Sequence, residues 1–206
     1  MKTIPHLEKV PYHLFHALFQ VSLAGDVGFD PLNLAGNVDN LLSMREAEIK
    51  HARLAMLAAA GWPLSELLDR KIASALNLAP VLDAADRAPS LLNGGLEKIS
   101  PLWWGFCIGL TAAIDLYGVR RARFAPDYLP GDLGFDPFGF YPSEENIKGR
   151  EAMQLAEIKH GRLAMIAVTG YGIQEGVLKE GVIDETPFFF TPITKTLEGY
   201  IEQYLQ

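Results

Sequence analysis

The sequence predicts an all-α membrane protein with three transmembrane helices, the first and third forming a crossed pseudo-twofold pair, together with short amphipathic helices. Three observations carry that prediction. Ala47–Met56 reads AEIKHARLAM and Ala156–Met165 reads AEIKHGRLAM, near-copies 109 residues apart that differ only at Ala52 against Gly161. A second pair precedes them, GDVGFDP at Gly25–Pro31 and GDLGFDP at Gly131–Pro137. Between the copies, Ile99–Val119 contains a single charge, Asp115, and is long enough to cross a bilayer as one helix.

The elements follow in order along a chain that reads as one domain over residues 1–206. Tyr12, Leu14, Phe15, Leu18 and Phe19 form an apolar cluster that either lies in a membrane interface or packs on the body. Gly and Pro make Gly25–Pro31 a loop, with an aromatic held between Gly and Asp-Pro. The first helix runs from about 40 to 69, rich in Ala, Leu, Met, Glu and Lys. Its charge-free stretch, Leu54–Ser65, is short, so it spans only if the polar groups before it are satisfied internally. Asp69–Lys98, with Pro80, Pro89 and Asn93-Gly94-Gly95, reads as an extramembrane linker.

The second helix runs from about 101 to 121. Pro101 suits a first helical turn, and Trp103 and Trp104 suit a membrane interface. Arg120, Arg121 and Arg123 close it, and with Arg45 and Lys50 they mark one positive side. The third helix, about 146 to 178, repeats the first: Gly170-Tyr171 matches Gly61-Trp62, and Glu175 matches Glu66. The tail places Ile193, Leu197, Tyr200, Ile201 and Tyr204 at amphipathic spacing.

Composition sets limits. The chain has 206 residues, of which 49% are apolar, and a net charge of −7 that offers nucleic acid no basic surface. Cys107 is the only cysteine, which rules out a disulfide framework and a cysteine-based metal site. Mean hydropathy is +0.11, low for a membrane protein unless its spans carry functional polar groups.

The repeated segments supply those groups. Glu48 and His51, like Glu157 and His160, stand at i and i+3 and share a helix face. Arg53 and Arg162 stand at i+5, roughly 140° away at about 100° per residue. One helix cannot readily close its own Glu–Arg pair, whereas two copies can exchange partners, Glu48 with Arg162 and Glu157 with Arg53. One carboxylate oxygen then accepts from the guanidinium while the other points outward as a ligand. Small residues, Ala52, Ala55 and Ala59 on one helix and Gly161, Ala164 and Val168 on the other, allow close approach.

Glu-x-x-His on two helices is also a di-iron carboxylate signature, and a membrane di-iron oxidoreductase is the competing class. That site needs a further Glu from each of two more helices. Only Asp115 is on offer, and an Arg follows each His by two residues. A metal held in a macrocycle needs only a single axial ligand from the protein, so isolated Glu, His, Asp or Gln side chains suffice.

The repeated E-x-x-H-x-R followed by LAM, the paired GFDP loops and the Trp-rich central helix resemble the light-harvesting complex superfamily of chlorophyll-binding antenna proteins, from about Gly25 to Gly176. His160 and the GDLGFDP loop look most like the red-lineage, fucoxanthin or chlorophyll a/c branch; green-lineage antennae usually carry Asn there. The resemblance implies a multi-pass protein of the plastid thylakoid that binds chlorophyll a, chlorophyll c (or b) and fucoxanthin-type or other xanthophyll carotenoids. It implies transfer of excitation to a photosystem core, I or II, alongside neighbouring antenna subunits and thylakoid lipids, with no bond chemistry. A photoprotective, energy-dissipating role is the alternative within the same family.

Carried over position by position, the resemblance implies axial ligation of chlorophyll magnesium by Glu48, His51, Asp115, Glu157, His160 and Gln174, with no other metal. It implies that Arg53 and Arg162 pair with the glutamates. It places carotenoid end groups at Gly28, Phe29, Asp30 and Pro31 and at Gly134, Phe135, Asp136 and Pro137. The chain departs from the family at Cys107, where a Gln ligand is common, and at Phe189, where plant antennae have a tail His. Ser65, repeat-mate of Gln174, is a weaker ligand candidate, and His13 and His16 read as interfacial histidines.

Overall fold

A computed structural model of the chain describes residues 23–125, 128–143 and 145–186. The N-terminal apolar cluster, His13, His16, Phe189 and the amphipathic tail lie outside the described residues. Among the described residues the protein is mostly helical, and the one β-type pairing is an isolated bridge between Ser90 and Gly94.

Helix α1 spans Val38–Leu76. Asn37 starts it, its Oδ1 accepting from Asn40 N–H at 2.8 Å, and Asp39 sits favourably in the first turn. The sequence predicts the linker from Asp69, but the helix continues to Leu76. Nothing in DRKIASAL breaks it, and charged residues mark a change of solvent rather than the end of a helix. Termination comes at Asn77, which takes φ 53°, while Leu78 N–H donates back to the Ala73 carbonyl at 2.8 Å. The helix passes Pro63 without interruption.

Helix α2 spans Pro101–Phe124. Ser100 Oγ accepts from Leu102 N–H at 3.3 Å, so Pro101 begins a turn where its missing donor is harmless. Of its residues only Gly118 is buried. Leu102 (86% exposed), Ile108 (66%) and Leu116 (68%) face outward. It is the one described helix apolar enough over its length to cross a membrane on composition alone. Helix α3 spans Ile147–Leu178, with Asn146 Oδ1 accepting from Gly149 N–H at 3.0 Å. A short α4, Val182–Glu185, follows.

The chain divides into two compact units, Met1–Met56 with Gly105–Met165, and Leu57–Trp104 with Ile166–Gln206. The core of the first is small: Ile49, Ala52, Ile158 and Ala164. In the second, Ala73, Leu82, Ala88 and Val182 are buried. There the segment after α1 is tied back by Asp69 Oδ2, which accepts from Val81 N–H at 2.9 Å and Leu82 N–H at 3.2 Å. Asp83 shapes the next turn by accepting from the backbone N–H groups of Ala85 and Arg87 at 2.9 Å. Those bonds overcome burial and hold its carboxyl below the usual range. The fully buried Glu175 accepts from Trp62 Nε1 at 2.8 Å and from Asn93 Nδ2. Its repeat-mate Glu66 accepts from Ile183 N–H at 3.0 Å.

Candidate functional site

The first unit brings the two polar kits together. Arg162 Nε donates to Glu48 Oε1 at 2.8 Å, and Arg53 Nε donates to Glu157 Oε1 at 2.8 Å. Each arginine also reaches a loop: Arg162 Nη1 donates to the Gly25 carbonyl at 2.8 Å, and Arg53 Nη1 to the Gly131 carbonyl at 2.7 Å. One guanidinium thus ties the opposing helix and the start of a GFDP loop in a single fork, twice over. Loop anchoring of this kind was not evident from the motif alone. The signal for it lay in the glycines that open both loops.

The close approach comes from small residues. Ala52 is fully buried, and a Cβ on Gly161 would overlap the Ala52 Cβ. That contact explains the one difference between the copies: Ala at both positions would not fit.

His51 and His160 occupy equivalent settings. His51 Nδ1 lies 2.8 Å from the Ala47 carbonyl, and His160 Nδ1 lies 2.8 Å from the Ala156 carbonyl. A carbonyl can only accept, so each Nδ1 carries the proton. That tautomer leaves Nε2 as the nitrogen with a lone pair, and both residues are exposed. This is the arrangement a metal-ligating histidine adopts, with the second nitrogen fixing the tautomer.

The loops match almost atom for atom. Asp30 accepts from Leu34 N–H at 3.0 Å and Ala35 N–H at 2.8 Å; Asp136 accepts from Phe140 N–H at 3.0 Å and Tyr141 N–H at 2.8 Å. Asp26 and Asp132 likewise cap Gly28 N–H at 2.9 Å and Gly134 N–H at 2.7 Å, glycines held at φ 68° and 62°. The carboxylates of the Asp-Pro pairs are spent on the backbone, and the phenylalanines are what the loops present: Phe29 is 84% exposed and Phe135 82%. Pro31 and Pro137 follow in the same turns. A cavity of about 720 Å³ lies between the first loop, Met44, Glu48 and Arg162; one of about 190 Å³ lies beside the second loop, Gln154 and Glu157.

Beyond the two kits the symmetry lapses. Asp115 accepts from Lys50 Nζ at 2.6 Å, so it enters the site already paired. Lys50 also lies 3.3 Å from Glu46, which accepts from Tyr128 Oη at 2.6 Å and Gly131 N–H at 2.9 Å. Burial first, then this bond to Glu46, pushes the Tyr128 hydroxyl up to about 12. Glu48 departs from the expectation that one carboxylate oxygen stays clear of cations. Glu48 Oε2 lies 3.1 Å from Nη1 of the buried Arg45.

Gln174 lies on α3 in the second unit, half-exposed. Its repeat-mate Ser65 donates its hydroxyl to the Trp62 carbonyl at 2.7 Å. Among the described residues no three His, Cys, Asp or Glu side chains gather in a way that would hold a metal ion between them.

The chain matches known proteins over most of its length. The family model described as chlorophyll A-B binding protein matches residues 16–188. A chloroplastic fucoxanthin-chlorophyll a-c binding protein of Isochrysis galbana is 34% identical over 167 residues, 72% of this chain and 72% of that one. The photosystem I chlorophyll a/b-binding protein 5 of Arabidopsis thaliana is 32% identical over 203 residues, 88% of this chain and 72% of that one. The light-harvesting complex stress-related protein 3.2 of Chlamydomonas reinhardtii is 30% identical over 174 residues, 78% of this chain but only 61% of the relative's length.

Proposed function

Because the chain belongs to the chlorophyll A-B binding protein family, we propose that it is a light-harvesting antenna of the plastid thylakoid that binds chlorophylls and carotenoids and passes excitation to a photosystem. The observation that carries this reading is the reciprocal pairing of Glu48 with Arg162 and Glu157 with Arg53, flanked by the exposed His51 and His160, whose Nδ1 atoms meet backbone carbonyls. Similarity to the Isochrysis relative, together with His160, favours chlorophyll a with chlorophyll c and a fucoxanthin-type carotenoid.

All three long helices cross the bilayer in this reading. Helix α2 qualifies by composition; α1 and α3 qualify because Glu48, Arg53, Glu157 and Arg162 neutralise each other across the pair. The apolar side chains that the protein leaves uncovered, Leu54, Leu57, Leu163 and Ile166 among them, then face pigment or lipid.

The residues present fit a magnesium macrocycle. Glu157 Oε2, the two histidine Nε2 atoms and Gln174 each offer a single donor, separated rather than clustered, and Glu48 and Asp115 offer oxygens already paired to cations. Chlorophyll, when bound, supplies the absorption and the excited state. The chain's residues set its position: the ion pairs hold the ligand carboxylates, the Ala47 and Ala156 carbonyls hold the ring tautomers, and the capped loops hold Phe29 and Phe135 against a carotenoid end group. Rigid spacing sets transfer rates, and nearby charge and polarity set each pigment's energy. None of these roles makes or breaks a bond in a substrate.

The excitation spectrum of chlorophyll emission from the purified complex tests the proposal. Light absorbed by the carotenoid should emerge as chlorophyll fluorescence; an excitation spectrum without the carotenoid region overturns it. The stress-related relative favours a second reading, dissipation in place of delivery. Fluorescence lifetimes at neutral and acidic pH separate the two, since only a dissipating protein shortens its lifetime in acid.

A further inference from the structure

The two glutamate sites differ beside the carboxylate at one repeat position. Position 45 on α1 and position 154 on α3 are repeat-mates, each three residues before its Glu, but one is Arg and the other Gln. Arg45 is 8% exposed, and its Nη1 lies 3.1 Å from Glu48 Oε2, while Arg162 occupies Oε1 at 2.8 Å. Gln154 turns the other way and donates from Nε2 to the Tyr141 hydroxyl at 2.9 Å. Among the described residues Glu157 therefore meets one guanidinium, at Oε1, and no donor faces its Oε2.

We propose that Arg45 is a positioning residue that differentiates the two repeat-related chlorophyll sites, making Glu48 the weaker magnesium ligand and Glu157 the stronger. The inference rests on the antenna reading. A carboxylate oxygen donates electron density to a metal, and a positive charge beside it lowers that donation. Arg162 hydrogen-bonds Glu48 Oε1, and the buried Arg45 stands 3.1 Å from Oε2 as an ion-pair neighbour without making a hydrogen bond, so both oxygens of Glu48 lie beside a positive charge. One guanidinium leaves Glu157 with an oxygen of full donor strength. The local charge differs too, since the Arg45–Glu48–Arg162 group carries one more positive charge than Glu157–Arg53. A charge beside a pigment shifts its absorption, so the sites differ in energy as well as affinity.

The test uses the full chain refolded with graded amounts of extracted chlorophyll. Glu48→Leu and Glu157→Leu first identify the absorption band lost with each ligand. In the wild-type chain the Glu48 band should half-fill at a pigment concentration about tenfold above the Glu157 band, the scale of a changed outer partner at a metal ligand. Arg45→Gln, which copies the third helix, should bring the two together and move the Glu48 band. Arg45→Lys should keep the band near its original position. Gln154→Arg, at a half-buried site, should weaken the Glu157 band and leave the Glu48 band unmoved, and it keeps the test open if Arg45→Gln fails to fold. Equal filling in the wild-type chain, or a Glu157 band indifferent to Gln154→Arg, overturns the inference. If neither Glu→Leu change removes a pigment, the antenna reading itself fails.

Discussion

Gly161 meets Ala52 so closely that a methyl group cannot be added between them. The single difference between the two ten-residue copies is thus a packing requirement, and it brings α1 within reach of the opposing arginine on α3. Gly161→Ala makes the motifs identical and should destabilise the pair by about 1–3 kcal/mol, the usual cost of overpacking. Detergent-solubilised protein should melt at lower temperature, with pigment lost from both glutamate sites together.

Exchange of partners predicts effects on the other helix. Arg53→Leu leaves the part-buried Glu157 carboxylate without its cation, a loss of about 1 kcal/mol where solvent reaches the pair. It also frees the Gly131 carbonyl, to which Arg53 Nη1 donates. Pigment held by Glu157 and by the second loop should be lost first, read as band-specific loss against the Glu157→Leu variant. Loss confined to the Glu48 site would contradict the exchange.

The second loop should weaken in acid. Asp136 accepts from the backbone N–H of Tyr141, with help from Phe140, and these hold its carboxyl below the usual aspartate range. A carboxyl depressed in the folded state contributes stability above its ordinary pKa, and that contribution is lost as pH falls through the folded value. Carotenoid circular dichroism should decline over that acidic window, and Asp136→Ala should lower the signal at neutral pH and flatten its acid dependence.

Tyr128 predicts the opposite sign at the alkaline end. Its hydroxyl is raised to about 12 in the folded chain, so the neutral phenol contributes full stability below the ordinary tyrosine range near pH 10. That contribution disappears as pH climbs toward 12. Tyr128→Phe should cost about 1 kcal/mol at neutral pH through the lost bond to Glu46, and should show a shallower alkaline fall in melting temperature.

Much of this was readable from the chain. The pairing of Glu48 with Arg162 and Glu157 with Arg53 follows from the i to i+5 geometry, which denies each helix its own pair. The start of α2 follows from Pro101, and α3 follows from its repeat of α1. The end of α1 was not legible, because charge at Asp69 and Arg70 marks solvent and not a break. Asp30 and Asp136 read as turn residues, but the number of backbone donors they gather depends on how the loop closes. Arg45 reads from the sequence only as part of a positive side; its place beside Glu48 is missed because a repeat draws attention to what it keeps, and Arg45 is where the repeat fails. Lys50 with Asp115, and Glu175 with Trp62 and Asn93, join residues far apart in sequence that no local period links.

The central claim is that the paired helices exist to hold chlorophyll and carotenoid. Extracting the protein purified from membranes, and separating the extract by chromatography alongside a metal analysis, addresses it most directly. The account predicts several chlorophylls per chain, with chlorophyll c and a fucoxanthin-type carotenoid, and magnesium in proportion to chlorophyll. Folded protein that yields no chlorophyll and carries stoichiometric iron would contradict it.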